Sequence, residues 1–307
     1  MTTTVGASRT AVTNTPPSSV PEIDATQAHT SPAESIDSFE RAATPAFSTT
    51  GGAAGPDEAA QETYARYGDR PFDLTDPKMR ELLVAASPQI DNNPATTNDE
   101  RRCGGASVLN AMILSGDTTT SANAIEAVAK ERGMAVDGAF GGALASMRSG
   151  TLTPNQAAVL QEGMFELGKD MSRDLPPEYS QHAQSEGGLS PMEVSELSGQ
   201  LAAKGAFGDA QSVHFTLADV GPNNHWVAAV THADGSVTGS DPSPNAKGTA
   251  PTFSADTPIA PGHENYVGDV TLTPQGGGQT HYELRLATDH GVQSIEKTTA
   301  GAPRVWE

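Results

Sequence analysis

The spacing of apolar residues changes twice along the chain and divides it into three parts. Residues 1–61 show no period; Thr, Ser, Ala, Pro and Gly mix with scattered acids, as in Thr15-Pro16-Pro17-Ser18-Ser19. Such a stretch cannot bury enough apolar surface to offset the entropy lost on ordering, so 1–61 is expected to be a disordered leader with one short helical turn near 36–40. A helical period then takes over. Residues 79–86 read as a short helix, and behind Cys103 the apolar residues Ala106, Leu109, Met112 and Ile113 recur at helical spacing, which makes one face of that helix core. Residues 121–132 form another, stopped by Gly133. Thr153-Pro154 opens the next with an N-cap and a first-position proline, and Ser190-Pro191-Met192-Glu193 is a capping box for one ending at Lys204-Gly205.

After about Gly208 the period falls from helix to strand. Segments 212–219, 225–231 and 236–240 read as antiparallel strands, the last two joined by Ala233-Asp234-Gly235, whose Asp-Gly is a hairpin signal. Two more strands, 266–273 and 281–286, flank the turn Pro274-Gln275-Gly276-Gly277-Gly278. Helices first and an antiparallel sheet second define an α+β fold. The expected organisation is the leader, one folded domain over 62–290 (helical lobe 62–207, sheet lobe 208–290) and a tail over 291–307. Gly138-Ala139-Phe140-Gly141-Gly142 lacks the Lys-Ser or Lys-Thr of a phosphate loop and reads as a flexible loop.

Composition narrows the partners. A net charge of −20 and a pI near 4.6 repel phosphate backbones and anionic headgroups, so neither nucleic acid nor membrane is expected. No stretch approaches the roughly 18 apolar residues of a membrane helix, and residues 1–5 lack the basic start of a secretory signal. The chain is expected to be cytoplasmic as made, with secretion or translocation through the leader left open. A single cysteine excludes an internal disulfide and a Cys-rich zinc site. The eight histidines show no His-Glu-x-x-His spacing, so no metal and no cofactor is expected.

The lone cysteine carries the chemistry. Cys103 stands where a polar loop, 88–98, delivers the chain to the apolar helix, and a helix N-terminus offers unpaired N–H groups and a positive dipole end that favour thiolate and can hold a developing oxyanion. His225 heads an otherwise apolar strand. Asp241-Pro242 follows the return strand, where Pro242 cannot extend the ladder and leaves Asp241 at the same end as His225. Nucleophile, base and orienting acid occur in that order. Trp226 is a candidate for shielding the pair and lining a substrate groove. Arg101 and Arg102 read as a solvated loop pair, His232 and His263 as fallback bases, and Asp219 as a turn acid.

Cys103-Gly104-Gly105-Ala106-Ser107-Val108-Leu109, with His225-Trp226-Val227 and Asp241-Pro242, resembles the papain-like cysteine peptidases, in particular bacteriocin-processing members and secreted effector proteases. The resemblance implies a helical lobe facing a sheet lobe with peptide bound between them, attack by Cys103, proton transfer by His225 and orientation by Asp241. It also implies an amide side chain shortly before the nucleophile to complete the oxyanion hole with the Cys103 backbone N–H. That family usually has Gln there; here Asn98 is the nearest amide and Gln89 a more distant one, and Gly105 stands where Pro is common. The expected activity is cysteine endopeptidase action on a protein or peptide. The alternatives are a transglutaminase-like or glutamine-deamidating enzyme with the same triad, and an inactive binding or effector protein on the same scaffold.

Overall fold

The computed structural model describes residues 56–89, 102–171, 188–219, 224–242, 261, 264–276, 279–288 and 290–300. Helices α1 (Pro56–Tyr67), α2 (Pro77–Ala86), α3 (Cys103–Ser115), α4 (Thr118–Glu131), α5 (Gly138–Arg148), α6 (Pro154–Gly168) and α7 (Pro191–Ala202) precede a sheet of β3 (Ser212–Asp219), β4 (Asn224–Thr231), β5 (Val237–Ser240), β6 (Tyr266–Gly276), β7 (Gln279–Thr288) and β8 (Gly291–Ala300). The two-residue strands β1 (Phe72–Asp73) and β2 (Thr151–Leu152) pair with each other inside the helical part. The six-stranded sheet has the order β5-β4-β3-β6-β7-β8, and every neighbouring pair is antiparallel. The architecture is α+β.

Helix α3 is the centre of the molecule. All thirteen of its residues are buried, as befits a helix that is apolar almost all round, and it packs on α6 to one side and on β4 to the other. Val108, Leu109, Met112 and Ile113 are fully buried and contribute about 1.5–3 kcal/mol each. Gly105 permits the contact with α6, since a Cβ there would lie 2.6 Å from the Phe165 backbone nitrogen and 2.9 Å from the Gln161 carbonyl.

The start signals act as expected. Thr153 and Ser190 each complete a capping box, with Gln156 and Glu193 returning the bond. Asp76 and Asp117 cap α2 and α4.

Three expected boundaries are corrected. Helix α1 begins at Pro56, inside the expected leader 1–61. Residues 291–300, assigned to a tail, form strand β8, paired with β7 along its whole length. Its residues alternate too weakly between apolar and polar to announce a strand, because it is an edge strand with little to bury. Segment 138–142 is the start of helix α5, not a loop. Its glycines depress helix propensity, but burial of Ala143, Leu144 and Met147 along one face holds it helical. The expected turn at 36–40 lies outside the described residues.

Candidate active site

Cys103 is the first residue of α3. Arg102 is the N-cap and makes no side-chain capping bond, in contrast to the cap residues of α2, α4, α6 and α7. Cys103 is 7% exposed, at the rim of the core rather than sealed within it.

His225 is the second residue of β4, opposite Ala218 of β3, and is likewise 7% exposed. The β4–β5 hairpin turns through Gly235, at φ 82°, and the β5 ladder ends with Ser240 opposite Ala228. One residue further, Asp241 falls diagonal to His225 on the same pleat. Its Oδ1 lies 2.7 Å from His225 Nε2, which leaves Nδ1 for the Cys103 sulfur, to which the ring is also hydrogen-bonded. Burial is the largest influence on the ring and disfavours its charged form. The hydrogen bonds to Asp241 and Cys103 and the electrostatic attraction of those side chains outweigh it, raising the pKa from 6.5 to about 10. At neutral pH the ring is an imidazolium held between a carboxylate and the sulfur.

The surroundings revise several expectations. Trp226 does not line a groove: it is 1% exposed, donates its indole N–H to the Leu189 carbonyl at 2.8 Å, and packs against the head of α3 beside Cys103. A Cβ on Gly104 would lie 3.3 Å from the indole Cδ1 and 2.9 Å from Leu189 Cβ, so the second residue of α3 is seated against both side chains. Arg102 is not solvated. It is 4% exposed and places Nη2 3.6 Å from Glu162 Oε1 on α6. Its neighbour Arg101, and Asn98 as the proposed oxyanion donor, lie outside the described residues. Gln89 lies beside Asp241, where its backbone N–H donates to the Pro242 carbonyl at 2.7 Å.

Of the fallback bases, His232 bonds Thr238 and His263 lies outside the described residues. Asp219 ends β3 opposite Asn224, and its N–H donates to Asn265, while the carboxylate on His225 is that of Asp241. Among the described residues no group of three or more His, Cys, Asp or Glu side chains is placed to hold a metal ion, and no helix is long and apolar enough to cross a membrane.

Three residues that sequence reasoning passed over complete the site. Ser107 Oγ donates to the Trp226 carbonyl at 3.1 Å, and Asn110 Nδ2 donates to Ser240 Oγ at 2.9 Å. The signal was present: 107 and 110 are polar interruptions of an apolar helix, four and seven residues after Cys103, on one face.

No protein-family model, curated protein or solved structure matches this chain.

Proposed function

We propose that the chain is a thiol-dependent acyl-transfer enzyme, an endopeptidase of papain-like architecture acting on protein or peptide. The observation that supports this is His225 bonded on one side to Asp241 and on the other to a sulfur at the N-terminus of helix α3.

In this reading the Cys103 sulfur attacks the scissile carbonyl carbon. A C–S bond forms and the carbonyl π electrons move to oxygen, where the Cys103 backbone N–H at the head of α3 stabilises them. As the tetrahedral centre collapses the C–N bond breaks, and the His225 imidazolium gives its Nδ1 proton to the departing nitrogen. The imidazole, now neutral, takes a proton from water. The hydroxide attacks the thioester carbon, the C–S bond breaks and the acid product leaves. Asp241 holds the ring and stabilises its charged form throughout.

A cleft of about 660 Å³, lined by Met134, Phe140, Glu162 and Leu167 among others, lies one ion pair from the nucleophile, because Glu162 also pairs with Arg102. It is suited to an extended chain on the helical side of the site, and part of its wall comes from the 133–148 segment. Secretion through the leader is compatible with this reading.

The test is digestion of a peptide library by wild type beside Cys103→Ala, with mass spectrometry of both purified chains. Backbone cleavage that needs the thiol, at a rate lowered on the order of a thousandfold or more without it, is the expected result. Ammonia release without cleavage would move the activity to glutamine deamidation, and equal behaviour of the two chains would refute catalysis.

A further inference from the structure

We propose that Asn110 is a positioning residue for this site: two turns beyond Cys103 on the same helix, it holds the end of β5, and with it Asp241, in register with the nucleophile. The purpose of that role rests on the reading above; the geometry does not.

Helix α3 meets the β4–β5 hairpin through three side chains on one face. Cys103 meets His225, Ser107 meets the Trp226 carbonyl and Asn110 meets Ser240. Seven residues of helix span about 10 Å, so Cys103 and Asn110 are the two ends of one stiff ruler. At the far end the need for a fastening is plain. β5 has four residues and, among the described residues, is the edge of the sheet, paired on one side only, and its ladder ends at Ser240. Asp241 comes next, one residue beyond the end of that ladder. It is held from both sides by bonds that avoid its carboxylate: the Ser240 hydroxyl on Asn110 before it, and the Pro242 carbonyl on the Gln89 N–H after it.

Packing alone does not account for an amide at 110. Asn110 and Ser240 are 1% and 2% exposed, and Asn110 Oδ1 is buried with no hydrogen-bond partner among the described residues. A leucine of nearly the same shape would fill the space without stranding an acceptor in a dry core. What Asn supplies and Leu cannot is the bond to Ser240, beside the residue that orients the base.

The experiment compares wild type with Asn110→Leu, Ser240→Ala and the double variant. It follows iodoacetamide alkylation of Cys103 across pH and the His225 ring titration by NMR, with thermal melting to establish that each chain is folded. Loosening Asp241 is expected to slow alkylation at neutral pH about tenfold in either single variant and to move the ring titration downward. The double variant should be no worse than either single, because both remove the same bond. A folded Asn110→Leu chain with the wild-type alkylation profile and ring titration would overturn the role. Should that variant fail to fold, Ser240→Ala decides by the same criteria. Alkylation needs no peptide turnover. A wild type that reacts fast but cleaves nothing would therefore sink the peptidase reading alone, and equal cleavage and alkylation by wild type and Asn110→Leu would sink the positioning role alone.

Discussion

The Asp241 carboxylate lies 2.7 Å from Nε2 of His225, a ring that sixteen residues and a hairpin separate from it in the chain. Because that contact occupies one ring nitrogen, the other is left for Cys103, to which the ring is also hydrogen-bonded. Asp241→Ala should therefore act on the sulfur without touching it. Peptide turnover is expected to fall between about a hundredfold and ten-thousandfold, with iodoacetamide labelling at pH 7 slowed in parallel, while the far-UV circular dichroism stays that of wild type. Unchanged labelling would mean that the carboxylate plays no part.

The same contact makes a statement about stability and pH. His225 is raised from 6.5 to about 10 in the folded chain, so the folded state binds its proton more tightly than the unfolded state. The resulting stabilisation is fully present below about pH 6.5 and is lost as pH rises through 10. Melting of wild type and His225→Gln at pH 6, 8 and 10 should show the difference between them shrinking with rising pH. A difference that grows with pH would reverse the assignment.

Gly105 offers a test of how the nucleophile helix is seated. Its missing side chain lets α3 approach the α6 backbone, and Gly105→Ala would press a methyl to within 2.6 Å of Phe165 nitrogen. Backbone cannot swing aside as a side-chain tip can. The substitution is expected to cost about 1–3 kcal/mol, read as a lower denaturant midpoint at unchanged slope.

A second buried charge group, on the far side of β3 from β4, should behave quite differently. Asp269 is fully buried and accepts from Arg285 Nε at 2.9 and 3.1 Å and from the Tyr266 hydroxyl at 2.6 Å, with His214 Nε2 3.6 Å away. Burial alone would raise its pKa, but the nearby His214 ring and the hydrogen bonds from Arg285 and Tyr266 together hold it below the usual 3.8. Its stabilisation is thus present above that value and lost as pH falls through the lowered one. Asp269→Ala breaks the network and is expected to cost about 3–5 kcal/mol in thermal unfolding near neutral pH, with the alkylation rate of Cys103 in the folded variant unchanged. A change in that rate would tie the network to the site.

The sequence by itself determined what depends on neighbours in the chain. Capping boxes at Thr153 and Ser190 are written within four residues, the Asp234-Gly235 turn within two, and the helix behind Cys103 within three turns. Alternation along 212–219 and the apolar run of 225–231 made strands of those segments, and Pro242 marked where the ribbon must end, so Cys103, His225 and Asp241 were nameable in order. Tertiary structure alone decided what depends on which surfaces meet. Helix α5 forms despite its glycines because Ala143, Leu144 and Met147 find a core to enter. Strand β8 exists because β7 offers it a row of backbone partners. Trp226 became a buried packing partner of α3 and Arg102 a buried cation, since burial is a property of the assembled layers and not of a residue type. The pairing of Asn110 with Ser240 spans 130 positions, and no local period encodes such a contact. It arises only when a stiff apolar helix is laid against the edge of a sheet and its two polar interruptions fall opposite the hairpin that carries His225 and Asp241.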